Sequence, residues 1–95
     1  MEIDSTTKKR ATFLSTPLRD VVSLMQIPGV GVVTYGRLNR AGVSSPQQLV
    51  GQLMVLNKSP DAMVRWLRSN CAVRAKEAEV IVEALVAKTE RVGLM

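Results

Sequence analysis

The sequence predicts an all-α protein, folded as a compact single domain of five helices. No segment shows sustained alternation of apolar and polar residues, the pattern of a half-buried strand. Serine is followed at once by proline at Ser45-Pro46 and Ser59-Pro60, a pair typical of the N-cap and first position of a helix. The connections between the candidate helices are also short, as expected for a compact bundle.

Turn and cap signals divide the chain into candidate helices at about 19–26, 32–41, 46–55, 60–70 and 75–91. Besides the two Ser-Pro pairs, the boundaries fall at Pro28-Gly29 and Gly42. Met63, Trp66 and Leu67 form an apolar stripe on the fourth helix. We therefore expect Trp66 to contact the core or a second subunit, and Cys71 to be a small buried side chain.

The N-terminal segment differs from the rest of the chain in composition. Residues 1–11 are polar and contain the run STTKKR, which is typical of a flexible basic arm. The sequence therefore predicts an arm over 1–11 and one helical domain over 12–95.

Charge and composition narrow the class of partner. Among 95 residues, 13 are basic and 8 acidic, for a net charge of +5. This excess favours a polyanion such as nucleic acid or an anionic membrane surface, although a basic soluble protein would show it too. With one cysteine and no histidine, we expect no internal disulfide, no metal site and no cofactor. No segment approaches the roughly 18 apolar residues of a membrane span, so we expect an intracellular soluble chain.

Residues 27–33, IPGVGVV, combine two glycines with the most apolar part of the chain. Ile27-Pro28-Gly29-Val30 fits a type II turn, in which glycine supplies the positive φ at the third position. Gly31 then begins the next helix. Such a turn leaves backbone N–H groups exposed at a helix N-terminus, where they can bind an anion.

The segment VVSLMQIPGVGVVTYGRLNRAGV resembles the helix-hairpin-helix motif, which grips the DNA phosphate backbone without reading bases. The motif would occupy about residues 19–42, with basic Arg37 and Arg40 on its second helix. The alternative is an ordinary helical hairpin, in which the glycines only permit close packing.

A longer resemblance covers nearly the whole chain after the first few residues. VGQLMVLNKSPDAMVRWLRSNCAVRAKEAE is similar to the barrier-to-autointegration factor family, small dimeric chromatin proteins of metazoans. Matching positions are Gly51-Gln52, Lys58, Asp61, Trp66-Leu67, Cys71 and Ala75-Lys76, with Phe13 and Pro17 upstream. Glu79, Arg74 and Ala62 depart from the pattern, since they replace a basic residue, an asparagine and a leucine of the family.

The resemblance implies a SAM/BAF-like orthogonal bundle that forms a homodimer in the nucleus or on chromatin. It implies binding of double-stranded DNA without sequence preference and, as further partners, LEM-domain-like proteins. The implied DNA-contacting set, with the turn residue Val30 and the extra cation Arg74 added, is Lys8, Lys9, Gly29, Val30, Gly31, Val33, Arg37, Arg74, Ala75 and Lys76. The family's arm is phosphorylated at positions that Ser5, Thr6 and Thr7 occupy in this chain.

The third helix is the expected dimer contact. Gly51 would allow close approach of a second chain, and Val50, Met54 and Val55 would supply apolar surface. The function that follows is sequence-independent DNA binding and bridging by a dimer, or a nucleoid role in the cytoplasm if the source is not eukaryotic. We expect the protein to have no enzymatic activity. The alternatives are a protein-interaction adaptor, with DNA binding secondary, and an accessory module of a DNA repair enzyme.

Overall fold

Five α-helices make up most of residues 5–90, the part of the chain that the computed structural model describes; residues 5–7 are described as backbone only. The helices are α1 (Ser5–Ser15), α2 (Val32–Arg40), α3 (Pro46–Val55), α4 (Pro60–Asn70) and α5 (Ala75–Glu90). Two short 3-10 turns, Leu18–Asp20 and Leu24–Gln26, connect α1 to α2. The described residues contain no strand, and they form a globule of 34 × 30 × 23 Å. The prediction of an all-α fold is confirmed.

The ends of the central helices are set by local side-chain chemistry, as the sequence predicted. The hydroxyls of Ser45 and Ser59 accept hydrogen bonds from the backbone N–H of Gln48 and Ala62, so each serine caps a helix that begins with proline. Gly42 has φ +92° and ends α2 in the left-handed conformation that favours glycine. Four of the five predicted helices therefore have nearly the predicted limits.

The helix predicted over residues 19–26 is wrong, because the chain forms two separate 3-10 turns there. Ser23 starts a new turn: its side chain accepts from the backbone of Met25, and Gln26 closes a capping box with it. Ile27 is extended, at φ −81° and ψ 129°, because the following proline disfavours helical geometry at the preceding residue. Only three residues are left between these two constraints, too few for an α-helix.

The segment predicted as a flexible arm differs as well, since residues 5–11 belong to α1. Few apolar residues mark this helix in the sequence, and Phe13 is its buried anchor. The ammonium of Lys88 on α5 donates to the carbonyls of Phe13 and Thr16 at the end of α1, and it lies 4.9 Å from the centre of the Phe13 ring. Arg10 pairs with Glu83 of α5 through two hydrogen bonds. Tertiary contacts therefore hold a helix of low intrinsic stability.

The core lies around α5, which contacts α1, α3 and α4. Its largest fully buried side chains are Phe13, Val21, Leu24, Ile27, Val30, Leu38, Leu49, Leu53, Met63, Leu67, Ile81 and Leu85. Trp66 is half-buried and packs against this core. Cys71 is a buried free thiol, as predicted, and burial raises its pKa.

Candidate nucleic-acid interface

A groove of about 600 Å³ separates the beginning of α2 from the beginning of α5. Four segments that are distant in the sequence form it: α1, the 27–31 hairpin, α2, and the start of α5. Its lining residues are Lys9, Gly29, Val30, Gly31, Val32, Val33, Thr34, Arg37, Arg74, Lys76, Glu77 and Val80. Four of these side chains are cationic and one is a carboxylate.

The hairpin has the turn geometry that the sequence predicted. The backbone N–H of Val30 donates to the carbonyl of Ile27 at 3.1 Å, and Gly29 has φ +90°, as a type II turn requires at its third position. Gly29 also lies directly on α5: a Cβ atom there would be 3.0 Å from the carbonyl oxygen of Glu77 and from Cγ1 of Ile81. This close contact places the hairpin against the first turns of α5.

The two helices that begin at this groove lack the side-chain caps found on α3 and α4. Gly31 is the N-cap of α2 and has no side chain to accept a hydrogen bond. The first bond of α5 runs from Ala78 N to the carbonyl of Arg74, and an arginine side chain has no acceptor. The first backbone N–H groups of both helices therefore remain available to a ligand, and the helix dipoles favour an anion.

Lys9 reaches the groove from α1. Its Nζ donates to the carbonyl of Val30 at 2.9 Å, which uses one of the three N–H donors of the ammonium. Partial burial lowers the pKa of Lys9, because desolvation disfavours the charged form. The contact fixes a cation beside the hairpin, with two donors left for a ligand.

Arg37 supports the other side of the groove. One of its terminal nitrogens donates to the carbonyl of Ala72 at 2.9 Å, so the guanidinium joins α2 to the loop between α4 and α5. Ala72 has φ +57°, a conformation that costs an alanine about 1–2 kcal/mol. The hydrogen bond from Arg37 therefore helps to hold a strained loop in place.

Glu77 is the acidic exception in this basic groove. The residue is half-buried, and its Oε1 is buried without a hydrogen-bond partner among the described residues. Sequence reasoning missed it as a groove residue, together with Val32, Thr34 and Val80. Val80 lies four positions after Lys76, so helical spacing could have placed both on the same face of α5. The position of Glu77 in the groove depends instead on the close packing of Gly29 on α5.

The structure brings eight of the ten predicted DNA-contacting residues into this groove. They are Lys9, Gly29, Val30, Gly31, Val33, Arg37, Arg74 and Lys76. The side chain of Val30 is in the core, so only its backbone can face a ligand. Lys8 instead lines a separate groove between α1 and the 3-10 turn at Leu24–Gln26, and Ala75 lines a neighbouring groove.

The predicted dimer residues on α3 differ in exposure. Gly51 is exposed, Val55 is 73% exposed and Met54 packs partly against the core. The prediction that Val50 supplies free apolar surface is wrong, because it is only 5% exposed and belongs to the core of its own chain. The side chains of the predicted phosphorylation sites, Ser5, Thr6 and Thr7, lie outside the described residues.

Residues 5–90 contain neither a membrane-spanning helix nor a metal-binding cluster. None of the helices in this range is both long and apolar enough to cross a membrane. No three histidine, cysteine or acidic side chains in it come together as a group that could hold a metal ion.

Comparison with known proteins agrees with the resemblance seen in the sequence. The family model described as barrier to autointegration factor matches residues 4–92. The barrier-to-autointegration factor of Danio rerio is 29% identical over 75 residues, which cover 79% of this chain and 82% of that protein. The protein of the same name from Drosophila melanogaster is 28% identical over 76 residues, with 80% and 83% covered, and that of Homo sapiens is 27% identical over 74 residues, with 78% and 82% covered. The chain belongs to the barrier-to-autointegration factor family.

Proposed function

We propose that the protein binds double-stranded DNA without sequence preference and, as a homodimer, bridges two duplexes. The observation that carries this proposal is the groove at the start of α2 and α5. Two helix N-termini without side-chain caps open into it, and Lys9, Arg37, Arg74 and Lys76 line it. A groove of this kind is suited to a chain of phosphates rather than to a single small anion.

The donors of the groove are of a kind that holds a phosphate backbone and does not identify bases. Backbone N–H groups, lysines and helix N-termini bind phosphate oxygens, which carry no direct sequence information. Val32 and Val33 at its rim are 77% and 62% exposed, and apolar side chains there can contact sugars of any sequence.

Gly31→Glu tests the DNA site. Gly31 is extended at φ −100°, and a Cβ there would meet no atom of residues 5–90 within 4 Å. The fold should therefore tolerate the change, while the carboxylate repels phosphate. We expect loss of binding to a random-sequence duplex. Gly36→Glu is the matched control, because Gly36 lies on the same helix outside the groove and its Cβ also meets nothing within 4 Å.

The parent protein should also show the salt dependence of phosphate binding, with log K falling against log salt by about 0.9 per phosphate contacted. Parent-like affinity in a folded Gly31→Glu variant would contradict the phosphate site. Absence of salt-dependent binding by the parent would contradict DNA binding as a whole.

The dimer proposal rests on the exposed part of α3. Gly51 lies in the middle of the helix, where glycine costs roughly 0.5–1 kcal/mol relative to alanine. Outside the backbone of its own helix, no atom of the described residues lies within 4 Å of its Cβ position. A second chain packed against Gly51 and the exposed Val55 would account for both features. A two-fold axis at α3 repeats the phosphate groove once on each protomer.

Gly51→Glu tests the interface and the bridging together. The side chain has room in an isolated chain, so the variant should fold as a monomer that still binds one duplex. The parent should bring two differently labelled duplexes into one complex, and the variant should not. A Gly51→Glu protein that sediments as a dimer would contradict this interface, and a parent dimer saturated by one duplex would contradict bridging.

The remaining parts of the proposal follow from family membership. We propose a binding protein rather than an enzyme, because the chain belongs to the barrier-to-autointegration factor family. We also propose that it is associated with chromatin in the nucleus, because its relatives are animal proteins. LEM-domain-like partners remain a prediction of the sequence resemblance, and Ala62, at the position where the family carries a leucine, is half-buried on α4.

A further inference from the structure

A second groove, of about 440 Å³, lies beside the first and carries only positive charge. Its cationic residues are Arg65 and Arg68 of α4 and Arg74 at the start of α5. The rest of its lining is small or apolar: Ser69, Ala72, Val73 and Ala75. We call these seven residues the arginine groove.

The three guanidinium groups of the arginine groove are exposed and have no ion-pair or hydrogen-bond partner within residues 5–90. Arg10, in contrast, forms a salt bridge with Glu83 elsewhere on the surface. Arg65 and Arg68 are three positions apart on one helix, where like charges repel each other. This repulsion destabilises the free protein, and an anion bound between the guanidinium groups would reduce it.

The arginine groove is continuous with the proposed phosphate groove. Arg74 lines both. The hydrogen bond from Arg37 to the carbonyl of Ala72 joins a residue of the phosphate groove to one of the arginine groove. An extended polyanion held at the hairpin can therefore continue past Arg74 onto α4 without leaving positive surface.

We propose that the arginine groove binds the phosphate backbone of the same DNA duplex, beyond the segment held at the hairpin. This inference rests on the proposed function. Guanidinium groups match phosphate oxygens through paired hydrogen bonds, and the shared residue Arg74 favours DNA over an acidic protein segment as the occupant. The site enlarges the contact made by one protomer and takes no part in bridging.

The test variant is Arg65→Gln with Arg68→Gln, which leaves Arg74 in place. The matched control is Arg19→Gln with Lys58→Gln, because these exposed cationic residues line neither groove and their loss changes the net charge equally. Thermal unfolding should show that both variants fold like the parent. With a random-sequence duplex, the salt slope of the test variant should be shallower by about two units, at 0.9 per lost phosphate contact, while the control keeps the parent slope.

Each outcome separates this inference from the proposed function. If the test variant keeps the parent slope while Gly31→Glu still loses binding, the arginine groove is not part of the DNA site and the proposed function stands. Equal loss of slope in test and control variants would also overturn the inference, because net charge alone would then explain it. If the test variant loses affinity for polyglutamate and keeps its DNA slope, the groove takes an acidic protein segment. If the parent shows no salt-dependent DNA binding, the proposed function itself fails.

Discussion

Replacement by alanine should affect different properties at the two glycines of the hairpin: stability at Gly29 and DNA affinity at Gly31. Gly29→Ala forces an alanine to φ near +90°, at a cost of about 1–2 kcal/mol. Its Cβ would lie 3.0 Å from a carbonyl oxygen and 3.2 Å from a backbone nitrogen of α5, and overpacking of this kind costs roughly 1–3 kcal/mol. Alanine also lowers the conformational entropy of the unfolded chain, which offsets about 0.4–1 kcal/mol of this destabilisation. We expect a net destabilisation of about 1–5 kcal/mol.

Gly31→Ala should leave the stability almost unchanged. The residue has ordinary extended geometry and open space at the Cβ position. Alanine is a poorer N-cap than glycine by about 0.5–1 kcal/mol, and the entropy gain in the unfolded state offsets roughly the same amount. The methyl group instead projects into the groove, where it hinders the approach of a phosphate to the first N–H groups of α2, so affinity for DNA should fall.

Thermal unfolding and DNA titration of both variants test the pair. At about 4–8 °C per kcal/mol for a domain of this size, Gly29→Ala should lower Tm by at least about 4 °C, whereas Gly31→Ala should change Tm by less than this. A Gly29→Ala protein as stable as the parent would refute the close contact with α5. A Gly31→Ala protein with parent stability and parent affinity would show that the groove does not need glycine there.

Two further predictions concern the attachment of α1. Lys88→Met removes a buried ammonium that donates to two carbonyls at the end of α1, so unfolding should become easier by about 2–4 kcal/mol, measured against Lys58→Met at an exposed site. The hydrogen bond from Arg10 lowers the pKa of Glu83, so the stabilisation from this carboxylate is present above its unfolded pKa and is lost as the pH falls through its folded value. Glu83→Gln should therefore destabilise the protein near neutral pH and make no difference in acid; an equal effect at both would contradict the ion pair.

Local chemistry explains why so much of the fold was predictable. Ser45 and Ser59 each precede a proline, and a cap followed by proline determines a helix start within a few residues of sequence. The hairpin was predictable for the same reason, because positive φ at Gly29 is a requirement of the turn itself. Where a boundary depends on neighbours in the chain, the sequence was sufficient.

Helix α1 was not predictable in this way, because the contacts that stabilise it lie more than 70 residues away. Lys88 appeared in the sequence as one more basic residue of the last helix, and only the packed structure shows that it is 6% exposed and bound to α1. The arginine groove was missed for a related reason. Arg65 and Arg68 are exposed on α4, but their proximity to Arg74 depends on how α4 and α5 pack.

The helical state of residues 5–11 changes what the N-terminal segment contributes to the proposed DNA site. A flexible arm would add loosely placed charge, whereas α1 holds Lys9 at 2.9 Å from the carbonyl of Val30. The position of this cation therefore depends on the contacts of Lys88 and Arg10 with the rest of the chain. Phosphate added at Ser5, Thr6 or Thr7 would stand in the first turn of α1, where negative charge stabilises a helix. Such a modification would oppose DNA through its negative charge and would leave α1 folded. The difference in affinity from the unmodified protein should therefore shrink as the salt concentration rises, while the helix content stays the same.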